Sequence, residues 1–141
     1  MFDTLDRYEA FIRDFEACKL PRARWTHPAH LAVGFWYLWH HPPAEALRLA
    51  RERISQHNEG VGTANTDSGG YHETITLASL RAARAWLKAR PHEALHVSLK
   101  ELLASDYGRS DWLLAYWSKP LLFSVEARRS WVEPNLRALP F

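Results

Sequence analysis

The chain has 141 residues, one domain's worth, of which 47% are apolar and 24% charged, with a formal charge of only +2. So slight a basic balance, even with a pI near 8.9, gives little electrostatic reason to expect a nucleic-acid partner. A single cysteine, Cys18, excludes an internal disulfide, and no uncharged run reaches the roughly 18 residues that span a bilayer.

Charges interleave through "MFDTLDRYEAFIRDFEACKL", which is not the pattern of a signal peptide, so the expectation is a cytoplasmic protein without a membrane partner. Residues 3–17 read as an amphipathic helix, with Leu5, Tyr8, Ile12 and Phe15 on one stripe that Phe11 widens. Pro21 interrupts. Thr26 suits an N-cap and Pro28 is tolerated in a first turn, so a second helix is expected over 27–39. It is apolar nearly all round, which predicts a central, buried position.

Pro42 and Pro43 start a third helix over 43–56. "HNEGVGTANTDSGGYHET" follows and holds four of the six glycines, so it reads as a loop of more than ten residues. Loops of that length in a small domain usually serve a function or are disordered. Helices are expected over 71–88 and 92–104, from Ser110 through "SDWLLAYW", and after Ser124 up to Pro134. No alternating strand pattern and no repeat is present. The predicted class is all-α, a compact single-domain bundle of six or seven helices over 1–141.

Three histidine constellations carry the chemistry. His27 and His30 stand three apart at the start of the second helix, where Cβ atoms lie about 5–6 Å apart on one face. Gly34, one turn on, leaves space beside them. His72, in "GGYHETIT", shares a stripe with Ile75, Ser79, Ala82 and Trp86 and so is expected to face the core. A core-facing imidazole needs a partner. Another helix can supply one, or a metal shared with His27 and His30 can. Three histidines from two helices would leave coordination positions open for water or substrate. Zinc suits that donor set first, with iron, nickel or copper as alternatives. Glu73, about 100° round the helix from His72, is the acid/base candidate, and Thr76 is the nearer hydrogen-bonding neighbour. The loop over 60–70 is expected to form a lid or wall.

The third constellation, "HEALH" from His92 to His96, matches the zinc-protease signature H-E-x-x-H. It follows Pro91 in what would be a helix's first turns, where the helix dipole already explains Glu93. Only Asp111 or Glu126 could add a third ligand. His40, His41 and His57 sit at predicted helix ends, where a cation is favoured.

"WTHPAHL", Trp25 to Leu31, with "GYHETIT", Gly70 to Thr76, resembles a family of small bacterial helical proteins of unassigned function, and "LLFSVEARRSWVEPNL" is similar to that family's tail. The resemblance covers most of the chain. It implies an all-α domain and directs attention to His27, His30 and His72, without implying an activity. A more distant likeness, at the level of fold alone, is to DinB-like bundles, in which three histidines bind a divalent metal.

The functional expectation is a metal-binding helical protein, an enzyme acting on a small molecule through a divalent metal on His27, His30 and His72. Hydrolysis and oxidoreduction are both open. Trp25, Trp36, Tyr71, Thr76 and Arg128 are the expected substrate contacts, Arg128 because a guanidinium pairs with an anion. One alternative is a metal-free binding module using the same aromatic and histidine pocket. Another is a zinc hydrolase through His92 and His96. A homodimer is compatible with all three.

Overall fold

The computed structural model describes residues 2–141; Met1 lies outside it. Its seven α-helices, with no strand among the described residues, make an all-α fold. α1 (Leu5–Glu16) is capped by the Thr4 hydroxyl, which accepts from the Arg7 amide. It buries Tyr8, Phe11, Ile12 and Phe15, whereas Leu5, placed on that stripe by spacing, is left exposed at the helix start.

α2 (His27–His40) runs through the middle of the molecule, as its all-round apolar sequence predicts, and buries Leu31, Val33, Gly34 and Phe35. The Tyr8 hydroxyl donates to the Ala32 carbonyl and ties α1 to it. α3 (Pro43–Gly60) continues four residues past the expected end. α4 (Glu73–Ala89) and α5 (Leu95–Ala104) complete the first layer of packing. α2 and α4 approach closely at Gly34, where an added Cβ would lie 3.0 Å from Leu80 Cδ2.

Beyond α5 the chain turns through short pieces. The helix expected from Ser110 is instead a 3-10 turn over Trp112–Ala115, followed by the one-turn α6 (Lys119–Leu122) and by α7 (Val125–Arg129). Pro120 explains the break. In a continuous helix its ring would collide with the Tyr116 carbonyl, which instead accepts from the Leu136 amide. Ser118 and Ser124 cap α6 and α7 with their hydroxyls.

The apolar side chains form two clusters. One joins α1, α2, α3 and α5 with the inner face of α4. The other is built on Ala78 and Ala82 of α4 and gathers Trp112, Leu113, Trp117, Leu122, Ala127 and Val132 from the C-terminal segment. The Trp117 indole is fully buried there and donates to the Val132 carbonyl. α4 is the wall shared by both clusters. No helix among the described residues is long and apolar enough to cross a membrane.

Candidate functional site

A hollow of about 290 Å³ lies along the seam between the two clusters. α2 contributes His27, His30, Leu31 and Gly34 to its wall. α3 contributes Ala50 and Ile54, and α4 contributes Ile75, Thr76, Ser79 and Leu80. Gly70, Tyr71 and His72 close one end, Ser110 and Leu113 another. Sequence reasoning thus brings His27, His30, His72, Tyr71 and Thr76 to one place, across more than forty positions of chain.

The three rings are held by backbone. Thr26 is the N-cap of α2, as expected, yet its hydroxyl caps nothing. Its carbonyl does the work, accepting from His30 Nδ1 at 2.8 Å. His30 is also stacked on Trp25, ring centroids 3.7 Å apart. Burial, with smaller contributions from the nearby His27 and His57 rings, lowers its pKa from 6.5 to about 4. At neutral pH the proton therefore sits on Nδ1, and Nε2 is a lone-pair acceptor with no protein partner among the described residues. His27 Nε2 donates to the Tyr107 carbonyl at 2.9 Å, and its Nδ1 has no protein partner among the described residues.

His72 is different. It is the N-cap of α4, and its Nδ1 accepts from the Ile75 amide at 3.1 Å. Its Nε2 donates to the Leu122 carbonyl at 2.7 Å. Both ring nitrogens are committed, so His72 joins α4 to the C-terminal segment and has no lone pair left to offer. Burial holds its pKa below the ordinary value, and the nearby Arg128 charge adds to the effect.

In this arrangement His72 has no lone pair free for a metal shared with His27 and His30. Among the described residues no three His, Cys, Asp or Glu side chains are grouped so as to hold a metal ion. The physical reason is the N-cap: serving as one takes the His72 lone pair, and the Leu122 carbonyl takes its proton.

Glu73, the acid/base candidate, is not in the wall of the hollow. Its carboxylate receives Arg51 through two nitrogens and the Tyr71 hydroxyl at 2.6 Å. That makes it an anchor for the α4 start and for Tyr71. Burial, reinforced by the bond to Glu73, pushes the Tyr71 phenol above its ordinary range.

Arg128 also stands outside the wall. It donates from Nη1 to the carbonyls of Gly70 and Tyr71, at 3.0 and 3.3 Å, and so steadies the loop rather than meeting a ligand anion. Trp25 is not in the wall but lies behind it, stacked on His30 and donating from Nε1 to Asn58 Oδ1 at 3.0 Å, and Trp36 packs against Tyr8 and His40, away from the hollow.

The glycine-rich loop reaches the hollow only at its end. Asn65 organises it, bonding to the Ser55 carbonyl, to Asn58 and to the Tyr71 amide. Gly70 has φ +78°, and an added Cβ would meet the Ala64 carbonyl at 2.6 Å, so only glycine serves there. Asp67 pairs with Arg129 of α7 at 2.6 Å and fastens the loop from outside.

The H-E-x-x-H reading fails on local structure. His92 and Glu93 lie in a turn after Pro91, and α5 begins only at Leu95, so His92 and His96 share no helix face. Asp111, a possible third ligand, pairs with Arg109. His57 is a second correction. It was expected as a cation at a helix end, yet it is fully buried, stacked on Phe15 with Trp25 tilted beside it. Neither ring nitrogen has a hydrogen-bond partner, although the Leu20 backbone is near enough to oppose part of the burial effect that lowers its pKa. Ser79 and Ser110 are wall residues that sequence reasoning missed. Ser79 was on the His72 stripe and could have been found, while Ser110 lies in a segment expected to be helical.

Comparison with protein-family models, with curated proteins and with solved structures finds no match for this chain.

Proposed function

We propose that the protein binds a small organic molecule, without a metal ion, in the hollow between α2, α4 and the C-terminal segment. The observation that carries this reading is the set of backbone bonds on His27 and His30. Each spends one nitrogen on a carbonyl, so each ring is fixed in place with the other nitrogen available. Preorganised polar groups in a mostly apolar concave wall are the general character of ligand sites. The volume, about ten waters' worth, suits a small ligand and not a polymer.

The test uses Ser79→Leu, which places an isobutyl group in the hollow on a helix that tolerates leucine well. A broad screen of small molecules by ligand-observed NMR is expected to yield binders to the native protein that Ser79→Leu no longer binds. Binders that persist in a folded Ser79→Leu protein would refute the assignment.

A second reading keeps a metal, and one observation favours it: two neighbouring imidazoles retain unpartnered nitrogens. Zinc held by His27 and His30 would polarise a bound water or substrate oxygen. Tag-free protein dialysed against zinc separates the readings. Retention of one equivalent, lost in both His27→Ala and His30→Ala, supports the metal; no retention supports the metal-free site.

A further inference from the structure

Resting on the reading of the hollow as a ligand site, we infer the chemical class of its occupant: a neutral molecule with an apolar body and one hydroxyl or N–H group, donated to His30 Nε2. Three features of the wall converge on this class. First, no Asp, Glu, Lys or Arg side chain lines the hollow. Two charged groups that bond wall residues are already engaged, Arg128 with the Gly70 and Tyr71 carbonyls and Glu73 with Arg51 and Tyr71. An ionised ligand group would be desolvated there without a counter-charge, which is heavily disfavoured.

Second, the polar atoms on offer lean towards acceptance. His30 turns its Nδ1 proton back to the Thr26 carbonyl, so a ligand lacking a donor would leave Nε2 dry and unpaired. His72 can offer neither a proton nor a lone pair. Third, the rest of the wall is aliphatic, from Leu31, Ile54, Ile75, Leu80 and Leu113, with Thr76, Ser79 and Ser110 as adaptable hydroxyls. The expected anionic substrate, argued from Arg128, is thereby replaced by an uncharged one.

Three matched probes test the class at pH 7.5 on the full chain: 2-naphthol, 2-methoxynaphthalene and 2-naphthoate. They share one ring system and differ in carrying a donor, a capped oxygen and a charge. The expected result is that 2-naphthol binds roughly five- to tenfold more tightly than 2-methoxynaphthalene, the value of one neutral hydrogen bond. 2-Naphthoate is expected to bind weakest. His30→Phe keeps a flat ring beside Trp25 and removes the acceptor, so it should bring 2-naphthol down to the 2-methoxynaphthalene affinity while the latter stays within about twofold.

Should that variant not fold, the ¹⁵N shift of His30 Nε2 in the native protein answers instead. It should move on adding 2-naphthol and stay put on adding 2-methoxynaphthalene. Equal binding of those two probes overturns the donor requirement, and binding of 2-naphthoate at least as tight as 2-naphthol overturns neutrality. Either result leaves the hollow standing as a ligand site. No saturation by any probe overturns the class, and only if the broad screen also fails does the site itself fall.

Discussion

His30, His57 and His72 are neutral rings whose charge the fold resists. Unfolded, each has the ordinary pKa near 6.5; folded, each is lowered by burial. The unfolded chain therefore binds more protons between the two values. Their contribution to stability is complete above about pH 6.5 and is lost as the pH falls towards about 4, the folded value of His30. His30 alone accounts for at most about 3 kcal/mol of that loss. Urea midpoints measured from pH 7.5 down to pH 4.5 should fall steadily; a flat profile would contradict the buried, neutral assignment.

His57 sharpens the expectation, because its two buried nitrogens lack partners. His57→Leu removes both orphans at similar volume and is expected to raise stability at pH 7 by about 1 kcal/mol, read as a higher urea midpoint at constant slope. It should also flatten part of the acid loss. The sequence showed which histidines lie near helix ends but not which of them packing would enclose. At position 57 the deciding contacts, Phe15 and Trp25, come from far along the chain.

Among the helices, the start of α4 carries the most consequence. His72 closes the helix with Nδ1 and holds the C-terminal segment with Nε2. His72→Ala is expected to cost about 2–4 kcal/mol, the sum of a lost cap and a buried carbonyl left unpaired. His72→Asn should recover about 1 kcal/mol by capping alone. Thermal or urea unfolding of the pair checks this, and equal losses in both would deny the capping role. Sequence reasoning placed His72 correctly against the core, through the Ile75 and Ser79 stripe, but started the helix at Tyr71. That two-residue difference decides whether the imidazole is a free ligand or a cap.

Helix identities were otherwise legible where the apolar period was long, as in α1 to α4, and where a cap announced the start, as at Ser124 before α7. They were lost from Ser110 to Phe123, where Pro120 and two buried tryptophans impose turns that no local period announces.

The whole molecule is two apolar clusters sharing α4, and the second is made from short pieces without a long helix. Trp117 is its centre. Trp117→Ala should cost about 3–5 kcal/mol and leave the Val132 carbonyl without its donor. Native-state hydrogen exchange is expected to show the variant's C-terminal segment opening well before α2 does, since this cluster is the apolar anchorage that supports its bonds to His72, Thr74 and the Gly70 loop. Uniform acceleration over all helices would mean instead that the clusters open as one unit. Because the hollow lies on the seam, a bound molecule would touch both and should slow that opening.

Trp25 lies face to face with the His30 ring, 3.7 Å between centroids. An excited indole readily gives up an electron to an imidazolium and much less readily to a neutral imidazole. Emission from this one tryptophan is thus a built-in optical gauge: it should dim in acid as the ring beside it charges, and brighten again when an occupant alters that ring.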